Sequence, residues 1–123
     1  MKSKLGITVL LLLFISACSF QKVDNVNIYE MKSFSDFKEN SLVVISDSKE
    51  KNVIIKAFTN AARESGIVNM ADPHYKVEIG NEAFFLWIGD NSGTIMNLND
   101  THTIYTLSEK ASNQIKKIIE DKK

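Results

Sequence analysis

Apolar and polar residues alternate along the second half of the chain with the period of two that is typical of strands with one buried face. Clusters of Gly, Asn, Asp and Ser interrupt the alternation at 80–81, 90–93 and 99–101, where they predict turns between antiparallel neighbours. The most apolar stretch should lie at the centre of the sheet. The predicted strands are HYKVEI, EAFFLWIG (the most apolar), TIMNL and HTIYTL.

Two further stretches predict strands earlier in the chain. VNIYEMK begins at residue 26 and alternates, whereas SLVVIS, residues 41–46, is a short β-branched run that we expect to be buried on both faces. Between them, SFSDFKEN predicts a turn or a short helical piece with Phe34 and Phe37 directed inward.

Spacings of three and four between apolar or small residues predict two helices. The first begins after Asp47, a residue type that caps helices, and ends at Gly66 with Arg63 in its last turn. The second follows Thr106 or Ser108, either of which can cap it. The inner faces comprise Ile54, Ala57, Phe58, Ala61 and Ser65 in the first helix and Ala111, Ile115, Ile118 and Ile119 in the second.

The element order β-β-α-β-β-β-β-α predicts an α+β fold over residues 26–123. We expect a two-layer sandwich in which the two helices cover one face of a mostly antiparallel sheet. Because strand side chains alternate between faces, Phe84 points one way and Phe85 and Trp87 point the other. Either one of these two sets lies on the open face and forms an exposed aromatic patch that marks a binding surface, or the N-terminal segment covers that face and both sets are core.

The first 17 residues have the organisation of a secretory signal peptide. Two lysines precede an apolar run that extends to Ile15 and is shorter than the roughly 20 residues a membrane-spanning helix needs. Small residues at Ser16 and Ala17 suit a peptidase. We therefore expect residues 1–17 to be removed.

ISAC, residues 15–18, resembles the bacterial lipobox, in which an aliphatic residue and two small residues precede a cysteine. In such signals the thiol receives a diacylglycerol, the chain is cut before the cysteine, and the new amino terminus can carry a further acyl chain such as palmitate. Residues 18–25 would then form a short tether to the membrane. The alternative is an ordinary signal peptide cut after Ala17, with Cys18 incidental.

Composition narrows the classes of function. The chain has 123 residues, enough for one domain, and its 15 basic residues balance 15 acidic ones; without Lys2 and Lys4 the net charge is −2, from 13 against 15. Nothing indicates the basic face that a nucleic-acid partner requires. The sole cysteine, Cys18, is used for acylation, and no Gly-x-Ser-x-Gly motif is present. We expect a non-enzymatic protein that needs no cofactor.

The two histidines raise the possibility of a metal site. His74 and His102 each follow an aspartate by two residues, Asp72 and Asp100 respectively. Two histidines and two aspartates could supply four ligands, although neither pair has the helical spacing of a zinc motif.

MADPHY is a candidate recognition loop, because Pro73 restricts the residue before it to extended geometry. His74 and Tyr75 could present a binding surface there. The alternative is that Pro73 only ends the connection and Tyr75 packs in the core. The candidate interaction surface comprises Trp87, Phe85, His74, Tyr75 and Tyr105.

Three stretches in order carry a family resemblance: the lipobox, AARESGIVNMADPHY at 61–75 and LWIGDNSGTIMNLNDTHTIYTLS at 86–108. Over roughly residues 26–120 the chain resembles the YhfM-like domain of small lipoproteins from Gram-positive bacteria. The resemblance implies a cell-surface location and supports the fold, and it supplies no catalytic residues.

These observations predict a lipoprotein on the extracytoplasmic face of the cell membrane, held by diacylglycerol on Cys18. We expect it to bind an envelope protein, a peptide or a wall component. The alternative is a small-ligand or metal-binding accessory protein that uses His74, His102 and the nearby aspartates.

Overall fold

The computed structural model describes residues 23–64 and 70–123, and these ranges contain seven strands and two helices. The predicted signal peptide, Cys18 and Gly66 lie outside them. The strands are β1 (Val26–Glu30), β2 (Val43–Ile45), β3 (Ala62–Glu64), β4 (Tyr75–Ile79), β5 (Glu82–Gly89), β6 (Ser92–Asn97) and β7 (Ile104–Leu107). The helices are α1 (Ser48–Thr59) and α2 (Glu109–Asp121).

The described strands form one antiparallel sheet in the order β2-β1-β4-β5-β6-β7-β3. The predicted meander is confirmed, since β4 to β7 are neighbours in chain order and the apolar strand β5 lies at the centre. Gly80 has a φ of 59° in the turn between β4 and β5, a conformation that glycine adopts without steric cost. The α+β class is likewise confirmed.

The first helix is shorter than its sequence pattern predicts. α1 begins after Asp47, whose carboxylate accepts a hydrogen bond from the amide of Glu50 at 3.0 Å, but it ends at Thr59 with Asn60 as its C-cap. Residues 62–64 instead form β3, which pairs with β7 and places Arg63 opposite Tyr105. The predicted position of Arg63 in the helix was therefore wrong, because pairing with a distant strand outweighs local helical periodicity.

Both helices cover the same face of the sheet and form the main core with it. Ile28, Val77, Leu86 and Ile95 on the strands are buried against the apolar faces of the helices. The rings of Phe58 on α1 and Phe84 on β5 meet edge to face at 5.1 Å between centroids. Buried members contributed by the helices are Ile54, Ala57, Phe58, Ile115, Ile118 and Ile119.

Helix α2 crosses the sheet from β6 toward β1 and β2. Of its two predicted caps Ser108 is the one used, and its hydroxyl accepts from the amide of Ala111 at 3.1 Å. Midway along the helix, Lys116 pairs with Asp90 in the β5–β6 turn at 3.0 Å. At its other end, the ammonium of Lys122 lies 3.0 Å from the carboxylate of Glu50. Ile119 and Lys122 also line a groove with Val43, so the far end of α2 lies beside the edge of the sheet formed by β2.

Candidate functional site

A second, smaller apolar cluster lies on the helix-free face, which is the sheet face opposite α1 and α2. Phe85, Trp87 and Met96 are buried there. The ring of Phe34 covers them, with centroids 5.5 Å from Phe85 and 6.0 Å from Trp87. The indole N–H of Trp87 donates to the carbonyl of Ala71 at 2.8 Å. Phe85 and Trp87 are therefore buried, as the second alternative predicts, but the ring that covers them is Phe34 of the β1–β2 connection.

Four large apolar side chains in the described ranges are exposed, and they form what we call the apolar patch: Phe34 (41%), Phe37 (52%), Leu42 (48%) and Val44 (46%). The expectation that Phe34 and Phe37 point inward was wrong. They lie in the β1–β2 connection, which packs on the outer side of the helix-free face and leaves both rings partly exposed to solvent.

Pairing register places the members of the apolar patch on one face. Val43 faces the core and Ile45 is buried, so Val44 between them points to the helix-free face. Asn27 pairs with Val44, and the same register brings Leu42 opposite Tyr29, whose ring lies 5.5 Å from that of Phe37. The prediction that SLVVIS is buried on both faces was wrong, since Val44 is exposed on the helix-free face.

The candidate residues His74 and Tyr75 line a cleft of about 410 Å³ between α2 and the ends of β1 and β4. His74 is exposed, but its Nδ1 accepts a hydrogen bond from the amide of Ile88 at 2.9 Å, so the ring extends the pairing of β4 and β5. Pro73 is buried and Tyr75 is half-buried. The ammonium of Lys123 donates to the hydroxyl of Tyr75 at 3.2 Å, and this hydrogen bond raises the pKa of Lys123.

The structure does not bring the two histidines together. His74 immediately precedes β4 and lies beside Leu86 and Ile88 of β5, whereas His102 immediately precedes β7. Three strand spacings of about 4.8 Å separate β4 from β7, which places the two histidines roughly 14 Å or more apart. Asp72 and Asp100 are exposed and each accompanies its own histidine. Within residues 23–64 and 70–123, no group of three or more His, Cys, Asp or Glu side chains is placed to hold a metal ion.

Tyr105, the remaining predicted surface residue, lies on the face that the helices cover. It is half-buried and lines a mostly apolar cavity of about 260 Å³ with Phe58 and Phe84. Tyr105 is therefore separate from the apolar patch, which the sequence analysis did not find.

Residues 23–25, which the sequence assigns to the tether, are held on the domain. Val23 packs against the main core. The ammonium of Lys51 donates to the carbonyls of Val23 and Asp24 at 3.2 Å and 2.8 Å. The chain therefore enters the domain at the end of the sheet that carries the Gly80 turn.

Neither helix in the described ranges has the length and hydropathy needed to cross a membrane. The fold defines a small α+β protein with a seven-stranded antiparallel sheet and two helices on one face. The model of the YhfM protein family matches residues 22–123, and the chain belongs to that family. No curated protein and no solved structure matches the chain.

Proposed function

We propose that this chain is a lipid-anchored protein of the extracytoplasmic membrane face that binds a partner without catalysing a reaction. The anchor would be a diacylglycerol on Cys18, and the lipobox ISAC supports it. Each buried methylene contributes about 0.8 kcal/mol to membrane binding, so two acyl chains hold a protein stably where one holds it marginally.

The structure supports a short distance between the domain and the membrane. Because Lys51 holds residues 23 and 24 on the domain, only residues 18–22 remain to separate the acyl chains from it. Five residues extend at most to about 17 Å at roughly 3.5 Å each. The end of the sheet with the Gly80 turn would then face the bilayer, and the cleft at His74 would face away from it.

The single observation that carries the binding role is the apolar patch. Contiguous apolar patches larger than a few hundred Å² are uncommon on monomeric proteins and commonly mark sites of interaction. Here the ring of Phe37 packs against Tyr29, and the register of β1 with β2 places the exposed side chains of Leu42 and Val44 on the same face as Tyr29. A binding protein held close to the membrane is the function that this arrangement supports best.

The anchor is tested by expressing Cys18→Ser in a bacterial host and separating membranes from soluble material after an alkaline wash. The unchanged chain should stay with the membranes, and the variant should be released or remain as an unprocessed precursor of higher mass. Ser19→Ala is the matched control and should behave like the unchanged chain. A Cys18→Ser protein that is trimmed to the same size and held as firmly would contradict the proposal.

The binding role is tested separately with a photo-reactive residue placed at position 37 in the host. Adducts of defined mass should form there and should disappear when Val44→Lys adds a charge to the apolar patch. The control position is Asn113, an exposed residue on α2. Equal adduct formation at both positions would contradict a role for the apolar patch.

A further inference from the structure

The mostly apolar cavity of about 260 Å³ lies between the last turns of α1 and strands β4 to β7. Its floor is formed by side chains that are buried: Phe58, Ile79 and Ile95. Further apolar side chains on its walls are Ile55, Ala61 and Phe84. Protein interiors are close-packed and contain few voids larger than a water molecule. A cavity of this size in so small a domain is therefore space that a ligand can fill.

Three of the four polar side chains that line the cavity are hydrogen-bonded to other protein groups. The hydroxyl of Thr59 donates to the carbonyl of Ile55 at 2.7 Å. The side-chain amide of Asn97 donates to the carboxylate of Glu82 at 3.3 Å, and its carbonyl oxygen accepts from the backbone amide of Asn99 at 2.8 Å. Water in the cavity would find few partners, and a cavity of this kind takes up apolar ligands.

The mouth of the cavity lies at the end of the sheet that carries the Gly80 turn. Glu82 begins β5 and Asn97 ends β6, and both are half-buried, whereas Thr59 at the end of α1 is exposed. We call these three residues the rim. The side chain of Val23 contacts the same turn, since its Cγ2 lies 3.7 Å from the position that a Cβ on Gly80 would take. The rim therefore lies at the end of the sheet where the chain enters the domain.

We propose that this cavity binds one acyl chain of a lipid from the membrane. The inference rests on the proposed anchor, because residues 18–22 extend at most to about 17 Å and would hold the rim close to the bilayer. The bilayer is then the nearest source of apolar ligand, and a lipid tail can enter the cavity with little exposure to water. The headgroup would stay outside, at the rim.

The acyl chains on Cys18 itself suit the cavity less well. Withdrawing one chain of the diacylglycerol from the bilayer would leave a single chain, which anchors a protein only marginally. A separate lipid enters the cavity without weakening the anchor. The ligand that the cavity favours is therefore a membrane lipid, with occupation by the chain's own acyl group as the alternative that the experiment must distinguish.

The test uses the full chain exchanged into micelles of lysophosphatidylcholine, a fraction of which carries a diazirine at the end of its single acyl chain. Irradiation followed by mass spectrometry of peptides locates the adducts. We expect adducts on the buried floor residues Phe58, Ile79 or Ile95, which lipid outside the cavity does not reach. Leu86 and Ile115, which are equally buried but lie outside the cavity, should stay unlabelled.

Filling the cavity provides a second arm. Ile55→Trp should lower labelling of the floor by at least about fivefold, because the added ring takes the space of the ligand. Val53→Trp is the matched control, since Val53 is a half-buried residue of the same helix that lines a different groove, and it should leave the labelling unchanged. Ala61→Leu adds less volume and should lower the labelling by a smaller factor, which keeps the test decisive if circular dichroism shows that Ile55→Trp is unfolded.

Several results would overturn the proposal. They are a floor without adducts, equal labelling in the cavity-filling and control variants, or labelling of Leu86 and Ile115 as strong as that of the floor. Labelling of the floor that appears only in Cys18→Ser would assign the cavity to the chain's own acyl group instead. Because the micelles supply lipid whether or not Cys18 is acylated, failure of this labelling and failure of the anchor test are distinguishable.

Discussion

Gly93 determines how closely α2 can approach the sheet. A Cβ atom at this position would lie 2.8 Å from Cδ1 of Leu107 and 2.9 Å from the hydroxyl of Ser112, closer than real contacts allow. The Ser112 side chain is fully buried and donates to the carbonyl of Ser108 at 2.8 Å, so it cannot turn away without losing this bond. We expect Gly93→Ala to push the first turns of α2 away from β6.

The loss of stability expected for Gly93→Ala is the difference between two opposing contributions to the free energy of unfolding. Overpacking of a close-packed core costs about 1–3 kcal/mol. Replacing glycine by alanine also reduces the entropy of the unfolded chain, which offsets about 0.4–1 kcal/mol. The net loss of about 1–2 kcal/mol corresponds to a fall in Tm of roughly 4–16 °C for a domain of this size.

Thermal unfolding followed by circular dichroism measures this change on the full chain in detergent. Gly89→Ala is the matched control, because a Cβ there would lie 3.3 Å from the hydroxyl of Ser92, an exposed side chain at the first residue of β6. The control should change the free energy of unfolding by less than about 1 kcal/mol. Equal Tm values for the two variants, or an unchanged Tm for Gly93→Ala, would refute this account of how α2 packs.

Two further predictions concern the helix-free face. Phe34→Ala should admit water to Trp87, the only tryptophan, and shift its fluorescence emission to longer wavelength. Phe37→Ala removes a ring that packs on Tyr29 and should leave the emission unchanged. Equal shifts in the two variants would contradict the packing described. Partial burial, then the hydrogen bond and charge of Glu78, raise the pKa of Tyr29 above its ordinary value of 10.0. The stability that Tyr29 contributes is therefore present below pH 10 and lost as the pH rises through the raised pKa of the folded state. Urea unfolding between about pH 8 and 11 should show a decline that Tyr29→Phe reduces, and identical pH profiles would contradict it.

Local signals predicted much of the fold. The meander β4 to β7 follows from alternation and turn residues, and the start of α1 follows from Asp47, because both are decided by neighbours in sequence. The end of α1 could not be predicted, since Ala62 to Glu64 continue a helical pattern until pairing with β7 draws them into the sheet. The pairing of β3 with β7, which are distant in sequence, therefore determines where α1 ends.

The candidate interaction surface was harder to predict from the sequence than the fold. Trp87 and Phe85 were identified as the aromatic residues of the second face, but the sequence does not show that Phe34, some fifty residues earlier, covers them. Likewise, a β-branched run such as VVI fits a central strand or an edge strand, and only the strand order reveals that Val44 is exposed.

We propose that Cys18 holds this domain on the membrane, and intact-mass spectrometry of the protein extracted from host membranes detects the acyl chains themselves. We expect a chain that begins at Cys18 and carries the added mass of a diacylglycerol thioether, with or without a further acyl chain. A chain of residues 18–123 with an unmodified cysteine would contradict it.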